Sequence, residues 1–252
     1  MDDGLRVRER MLRRQPVRAA GEPVLLAAWR RRAGVGLRVA GSAGMTGERV
    51  PWVVGVSGAS GTPYARSVLR GLLDAGLPVD LVVSRAARLT LLDETGLSWH
   101  DDAETLQRWV GRRGDVVHWG PLDLAAGPSS GSYPTQGMLV VPASTAAVAG
   151  IALGLSKDLL QRAADVTLKE RRPLVVVPRE MPLGRQTLVH LVELHDAGAV
   201  VAPASPGFYA GAVSAQDLAD FVAAKVLDVA GVPHTLLTRW TGALGAARVP
   251  QP

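Results

Sequence analysis

No cysteine occurs anywhere in the 252 residues. That excludes a disulfide framework, thiolate-bound zinc and a cysteine nucleophile, and it fits a reducing, cytoplasmic setting. Aromatic residues are scarce at 4%, with two Phe and three Tyr, and lysine is limited to Lys157, Lys169 and Lys225. No apolar run approaches the roughly 18–20 residues of a membrane span. The longest near the amino terminus, 23–29, runs straight into three arginines, too short for a secretory signal. No membrane partner is expected.

What is present is a chain that is 47% hydrophobic, long enough for one α/β domain with a sizeable core. The formal net charge of +5 would ordinarily point to an anionic polymer as partner, but it is unevenly placed. Residues 1–50 hold 11 Arg against five acidic residues, an excess of +6, whereas the remaining 202 hold 17 basic and 18 acidic residues, or −1. The basic character therefore belongs to an Arg-rich leader, residues 1–44, which shows no sustained period of 3.6 or 2. It reads as a disordered or dispensable arm ahead of a domain at 45–252, with Met45 as an alternative start. Nucleic acid is not expected as a partner.

From Trp52 onward short apolar runs alternate with amphipathic segments, the pattern of β/α units around a mostly parallel sheet with helices on both faces. Strands are expected at Trp52–Ser57, Val79–Ser84, Val116–Trp119, Met138–Pro142, Leu174–Pro178 and Ala199–Ala202. Helices are expected at Pro63–Ala75, Ala86–Thr95, Asp102–Arg112, Thr145–Gly150, Lys157–Glu170, Gln186–Asp196 and Ala215–Ala230. The fold class is a single Rossmann-like or flavodoxin-like open sheet. In such sheets ligands bind beyond the carboxyl ends of the strands, so the loops that follow each strand carry the functional signal.

After the first strand comes Gly55-Val-Ser-Gly-Ala-Ser-Gly61. Glycines and small hydroxyl residues leading into a helix allow backbone N–H groups to approach an anion, although the same residues also make a tight turn. The spacing is not the dinucleotide G-x-G-x-x-G, and the Lys of a P-loop is missing. The second strand ends in Ser84-Arg85, with no Asp or Glu for a ribose, which argues against NAD. Ser84 suits either a phosphate or a helix cap. Residues 121–136, containing Pro128-Ser-Ser-Gly-Ser-Tyr-Pro134, form a long segment that either binds something or is an ordinary flexible loop. Pro142-Ala-Ser-Thr-Ala-Ala147 again places hydroxyls at a helix start. The densest chemistry lies in 162–180, where Lys157 and Lys169 flank Arg162 and a buried strand delivers Arg179 and Glu180 at its carboxyl end. Arg171 and Arg172 read as a solvated face. Tyr209 follows the last strand, and Lys225 lies on the final helix.

In order and spacing, GVSGASG, SRAA, SSGS, PASTAA, RAADVTLKERRPLVVVPRE, PASPGFY and a terminal Arg239-Trp240 resemble the UbiX-type flavin prenyltransferases, over about residues 50–242. The resemblance implies transfer of a dimethylallyl group from dimethylallyl monophosphate to N5 and then C6 of reduced FMN. The product, prenylated FMN, would serve a UbiD-type decarboxylase. It implies FMN contacts at Gly58, Ala59, Ser60, Ser84, Ser144, Thr145, Ala146, Ala147 and Arg179. Prenyl-phosphate contacts would fall on Ser130, Gly131, Lys169, Tyr209 and Lys225, with Arg162 and Trp240 as further pocket residues. Catalytic roles would fall on Glu180, Glu94, Lys169 and Ser60. It further implies a metal-independent homo-oligomer, commonly a dodecamer, with sites at subunit interfaces.

The residue chemistry agrees. Displacing phosphate from an allylic carbon calls for cations and donors aimed at the leaving anion, and Lys169, Arg179, Tyr209 and Lys225 are of that type. No His or carboxylate cluster reads as a Mg²⁺ site. Closing a ring at C6 releases a proton, for which Glu180 is the candidate acceptor, with Glu94 supporting proton handling near N5. Two departures stand out: Lys225 occupies a position where many members have Arg, giving up a bidentate fork, and Leu124 stands where some carry Trp. Two other readings compete. A flavin-dependent cysteine decarboxylase would need an active-site His and an Asn-containing PxMN motif, neither of which appears. A non-catalytic FMN carrier would have no use for a second anion site.

Overall fold

The computed structural model describes residues 49–100 and 103–240. The Arg-rich leader, Asp102 of the third expected helix and the segment after Trp240 lie outside the described residues. Within them the chain builds strands β1 (Trp52–Val56), β2 (Val79–Val83), β3 (Val116–Trp119), β4 (Gly137–Ala143), β5 (Leu174–Pro178) and β6 (Val200–Val201). Seven α-helices accompany them among the described residues: α1 (Thr62–Asp74), α2 (Arg85–Thr95), α3 (Ala103–Val110), α4 (Thr145–Ala152), α5 (Leu159–Lys169), α6 (Arg185–Asp196) and α7 (Ala215–Ala230).

The six strands form one sheet in the order β3-β2-β1-β4-β5-β6, with every pair parallel. Of the two expected topologies this is the Rossmann order. Strand side chains alternate between two cores. Val54, Val56, Leu81, Val83, Leu139, Val141, Val175 and Val177 pack with α1 and α7. Val53, Val82, Met138, Val140, Leu174 and Val176 pack with α4, α5 and α6. The unbroken Val-rich runs follow from burial on both faces.

Element boundaries shift where side chains cap. Helix α5 starts at Leu159 rather than Lys157, because Asp158 is its N-cap and accepts from Gln161 N at 2.8 Å. It stops at Lys169, and Arg171 takes a left-handed φ of 56°. Strand β6 contracts to two residues, while α7 matches expectation and opens with a full capping box from Ser214 and Asp217.

The long segment 120–136 has a topological explanation. Because β3 and β4 are parallel, the chain must return from the carboxyl to the amino edge, and here it descends along α5 with a single 3-10 turn, Gly127–Ser129, in place of an α-helix. Leu159 N donates to Pro121 O at 2.9 Å at the top, and Arg162 Nε donates to Ser129 O at 3.0 Å midway. At the bottom Arg172 donates to Tyr133 O at 2.8 Å, Thr135 Oγ1 at 3.1 Å and Gly131 O at 2.7 Å. Arg172 is thus a half-buried staple, a correction to the solvated face expected of it; Arg171 is exposed.

Candidate functional site

Strand order reverses between β1 and β4, and their carboxyl ends are locked together there. Buried Ser57 Oγ donates to Pro142 O at 2.8 Å and accepts from Ser144 N at 2.7 Å. Beyond this lock opens a cleft of about 220 Å³, lined by Ser57 and Gly58 after β1, Ser84 to Ala86 after β2, and Pro121 and Leu122 after β3. Ser144, Ala146 and Ala147 after β4 and Asp158, Leu160 and Gln161 at the start of α5 complete it. Such a crevice is where doubly wound sheets take ligands.

Three helices begin at this cleft, each with a side-chain cap. Ser84 Oγ accepts from Ala87 N at 3.1 Å, Ser144 Oγ from Ala147 N at 3.2 Å, and Asp158 caps α5. The cap reading of Ser84 therefore holds, without removing the other one: a hydroxyl that accepts from a helix N–H keeps its own O–H to donate outward. The positive ends of these helices make the cleft favourable for an anion.

The glycine turn is shaped by contact and by conformation. A Cβ on Gly58 would lie 2.3 Å from Ala86 Cβ, and Gly61 has a φ of +118°, a region that L side chains rarely adopt. Glu94 closes the turn from α2, its carboxylate accepting from Gly61 N at 2.7 Å, Thr62 N at 2.8 Å and Thr62 Oγ1 at 2.6 Å. Burial opposes the charge, but hydrogen bonds from Thr62, Ser60 and the Gly61 and Thr62 amides outweigh it and hold Glu94 below the usual carboxylate range. The amino terminus of α1 is thus already served by an anion of the chain itself. Glu94→Gln is expected to cost about 1 kcal/mol, the usual worth of a cap. Since the folded carboxyl titrates below its unfolded value of about 4.3, the gap between wild type and variant should be full at neutral pH. It should close as pH falls through the folded value; urea unfolding at pH 7 and pH 3 measures both, and an equal gap at the two would contradict the assignment.

The residues expected for FMN come together. Gly58, Ser84, Ser144, Ala146 and Ala147 line the cleft, Ala59 is buried beneath the turn, and Thr145 opens α4. Arg179 joins them, donating from Nε to Ser60 O at 2.8 Å. Its neighbour Glu180 is exposed, with Oε1 accepting from Met181 N at 3.0 Å.

The residues expected for prenyl phosphate divide into two groups. Ser130, Gly131 and Lys169 meet at the amino edge, where Lys169 pairs with Glu170 over Gly131. An 11-residue helix separates Lys169 from the cleft by about 16 Å. Arg162, on the same helix, pairs with Asp165 at 2.9 Å. Tyr209 and Lys225 lie with α7, whose core belongs to the other face of the sheet. There Tyr209 meets Phe221 and Trp240 edge to face, at 5.5 and 6.1 Å between ring centroids.

Sequence reasoning did not single out Ser57, Pro121, Leu122, Asp158 or Gln161. Ser57 lay inside the glycine motif, and Asp158, three residues before Gln161, carried an N-cap signal. Among the described residues no group of three or more His, Asp or Glu is placed to hold a metal ion, and no helix is long and apolar enough to cross a membrane.

A Rossmann-ordered sheet whose switch-point cleft gathers capped helix starts, a glycine turn and an arginine defines an α/β protein built to hold a phosphorylated ligand. The Flavoprotein family model matches residues 42–227. The flavin prenyltransferase UbiX of Streptomyces coelicolor is 66% identical over 213 residues, covering 79% of this chain and 99% of the relative. That of Pseudomonas aeruginosa is 38% identical over 190 residues, covering 73% and 91%. Among solved structures, AnUbiX (PadA1) in complex with FMN and dimethylallyl pyrophosphate is 36% identical with a TM-score of 0.70, covering 78% of this chain and all of that one. A dodecameric FMN-dependent Ubix-like decarboxylase from Escherichia coli O157:H7 is 38% identical, also at 0.70, covering 77% and 100%. The chain belongs to the UbiX flavin prenyltransferase family.

Proposed function

We propose that this protein transfers the dimethylallyl group of dimethylallyl monophosphate to N5 and C6 of reduced FMN, releasing phosphate and prenylated FMN for a UbiD-type decarboxylase in the cytoplasm. The observation that carries the reading is the cleft itself. A flavin phosphate fits capped helix starts that offer backbone N–H groups and serine hydroxyls, and the bare Gly58 lets the glycine turn pack directly on Ala86 at the start of α2, beside the cleft.

The two groups assigned to prenyl phosphate are too far apart to serve one cleft of one chain, since Lys169 sits at the amino edge and Lys225 on the opposite face. We infer that each working site draws on more than one copy, in a homo-oligomer of the dodecameric kind. Exposed apolar side chains on and before α6, among them Met181, Leu183, Leu188 and Val192, supply surface for such contacts.

In the reaction N5 bonds to the allylic carbon as its C–O bond breaks, the electron pair going to phosphate and the N5 proton leaving; the prenyl C=C then takes up one proton, C6 bonds to the tertiary carbon so formed, and C6 loses its proton. Lys169, Tyr209 and Lys225 stabilise the departing anion. Arg179 holds the turn that carries Ser60. Glu180, exposed at the carboxyl edge, accepts the proton, while Glu94 keeps the glycine turn closed. Glu180→Gln is expected to retain FMN affinity and lose about 10²-fold in turnover, the usual range for a general base. The assay is anaerobic incubation with reduced FMN and dimethylallyl monophosphate, read as a mass gain of one dimethylallyl unit on the flavin. FMN that binds and never gains mass would favour a carrier, and undiminished turnover in the variant would remove Glu180 from the mechanism.

A further inference from the structure

Phe221, Lys225 and Asp228 stand at i, i+4 and i+7 on α7 and so share one stripe of the helix. At one end Phe221 holds the Tyr209 ring. At the other, Asp228 is the hub of three cations or donors. Its Oδ1 accepts from His234 Nε2 at 3.1 Å and from Arg239 at 2.8 Å, its Oδ2 from Arg239 at 3.3 Å, and the Lys225 ammonium lies 3.7 Å away. The His234 side chain is 1% exposed, and its Nδ1 accepts from Leu236 N at 3.3 Å, which leaves the ring proton on Nε2 to donate to Asp228. Burial opposes the Asp228 charge, but Arg239 and His234 hold it ionised below the ordinary range.

These contacts close a circuit. Asp228 fixes Arg239, the next residue is Trp240, Trp240 meets Tyr209, and Tyr209 returns to Phe221. Lys225, 55% exposed, lies on the stripe between the two ends. Residues 236–238, held between the His234 and Arg239 anchors, also wall a pocket of about 230 Å³ against Phe221 and Gly207.

We propose that Asp228 is a positioning residue for the prenyl-phosphate end of the site: by clamping His234 and Arg239 it fixes the tail 234–240 and holds the Tyr209–Trp240 pair beside the Lys225 ammonium. The role rests on the prenyltransferase reading above. It assigns Arg239 a purpose that its position before Trp240 left open, as the link through which a carboxylate on α7 controls an aromatic ring it does not touch. A Lys ammonium has no fork to set its own direction, so an acidic neighbour one turn on steers it.

The test uses the full-length protein, with FMN affinity by flavin fluorescence and steady-state kinetics against dimethylallyl monophosphate. D228N is expected to raise the donor KM about tenfold and leave the FMN dissociation constant within twofold. R239Q, at a residue 63% exposed where misfolding is not at issue, should raise the donor KM to a similar degree. The double variant should be no worse than either single one, because both break the same link. A wild-type donor KM in R239Q, or additive effects in the double variant, would overturn the proposal. Absence of alkylated flavin from the wild-type protein would instead overturn the prenyltransferase reading, and the positioning role with it.

Discussion

Gly58→Val is expected to abolish flavin loading, weakening FMN binding by about a hundredfold or more while the sheet stays folded. The physical reason is crowding with nowhere to yield. The first added carbon would sit 2.3 Å from Ala86 Cβ and 3.1 Å from the Ala86 carbonyl carbon. Ala86 lies in the first turn of α2, whose cap is Ser84, so its backbone does not move alone. Either the glycine turn swings away from the cleft or α2 shifts at its start, and both line the site. Overpacking of this kind costs about 1–3 kcal/mol, drawn here from the geometry that receives the ligand. Gly184→Ala is the matched control: its Cβ would meet nothing within 4 Å, and FMN affinity should not change. Fluorescence titration with FMN measures both, and wild-type affinity in a folded Gly58→Val protein would show that the cleft is not the flavin site.

Arg49→Met is expected to destabilise the protein by about 3–5 kcal/mol, the cost of leaving a buried charge without its partner. Asp80 is 0% exposed within β2, and Arg49 NH1 reaches its Oδ1 at 2.7 Å. The same guanidinium binds Asp115 Oδ2 at 2.9 Å, Val79 O at 2.9 Å and the Tyr133 hydroxyl at 3.3 Å. One side chain therefore ties β2, the approach to β3 and the crossover segment together at the amino edge. Burial, then a hydrogen bond to Asp80 and its charge, push the Tyr133 phenol up, so the hydroxyl remains neutral beside the pair. Adding Asp80→Asn should recover part of the loss by removing the stranded charge. Urea midpoints for the single and double variants test this; a single-variant cost below about 1 kcal/mol would mean that water reaches Asp80 and the pair is ordinary surface chemistry.

Much of this was legible in the residues. The five-residue runs Trp52–Val56 and Leu174–Pro178 are apolar enough to be buried on both faces, and Ala215–Ala230 carries its capping signal in plain view. That Gly58, Ser84 and Ser144 gather at one cleft was legible because the signal is local. Each of Gly58, Ser84 and Ser144 follows its own strand, and a parallel sheet delivers all strand ends to one edge. What failed was long-range. Arg172 looked like part of a charge run because nothing in RRPL says that a crossover carbonyl waits beside it. Segment 121–136 left a binding loop and an ordinary flexible loop equally open because its composition does not reveal the return path that parallel pairing imposes. Asp228 carried no signal as an acid on an amphipathic helix, since its partners come from a tail six and eleven residues further on.

By itself the sequence determined the fold class, the family and several residues that line the strand-end cleft, because β/α periodicity and short motifs after strands are local properties that survive without coordinates. The tertiary structure alone decided that Lys169 and Lys225 end on opposite faces of the sheet, that Glu94 is spent on closing the glycine turn, and that Asp228 gathers His234 and Arg239 around α7. Each depends on which helix packs on which face and how far a helix carries a side chain from the strand ends, and those distances are set by chain crossings that residue spacing does not encode.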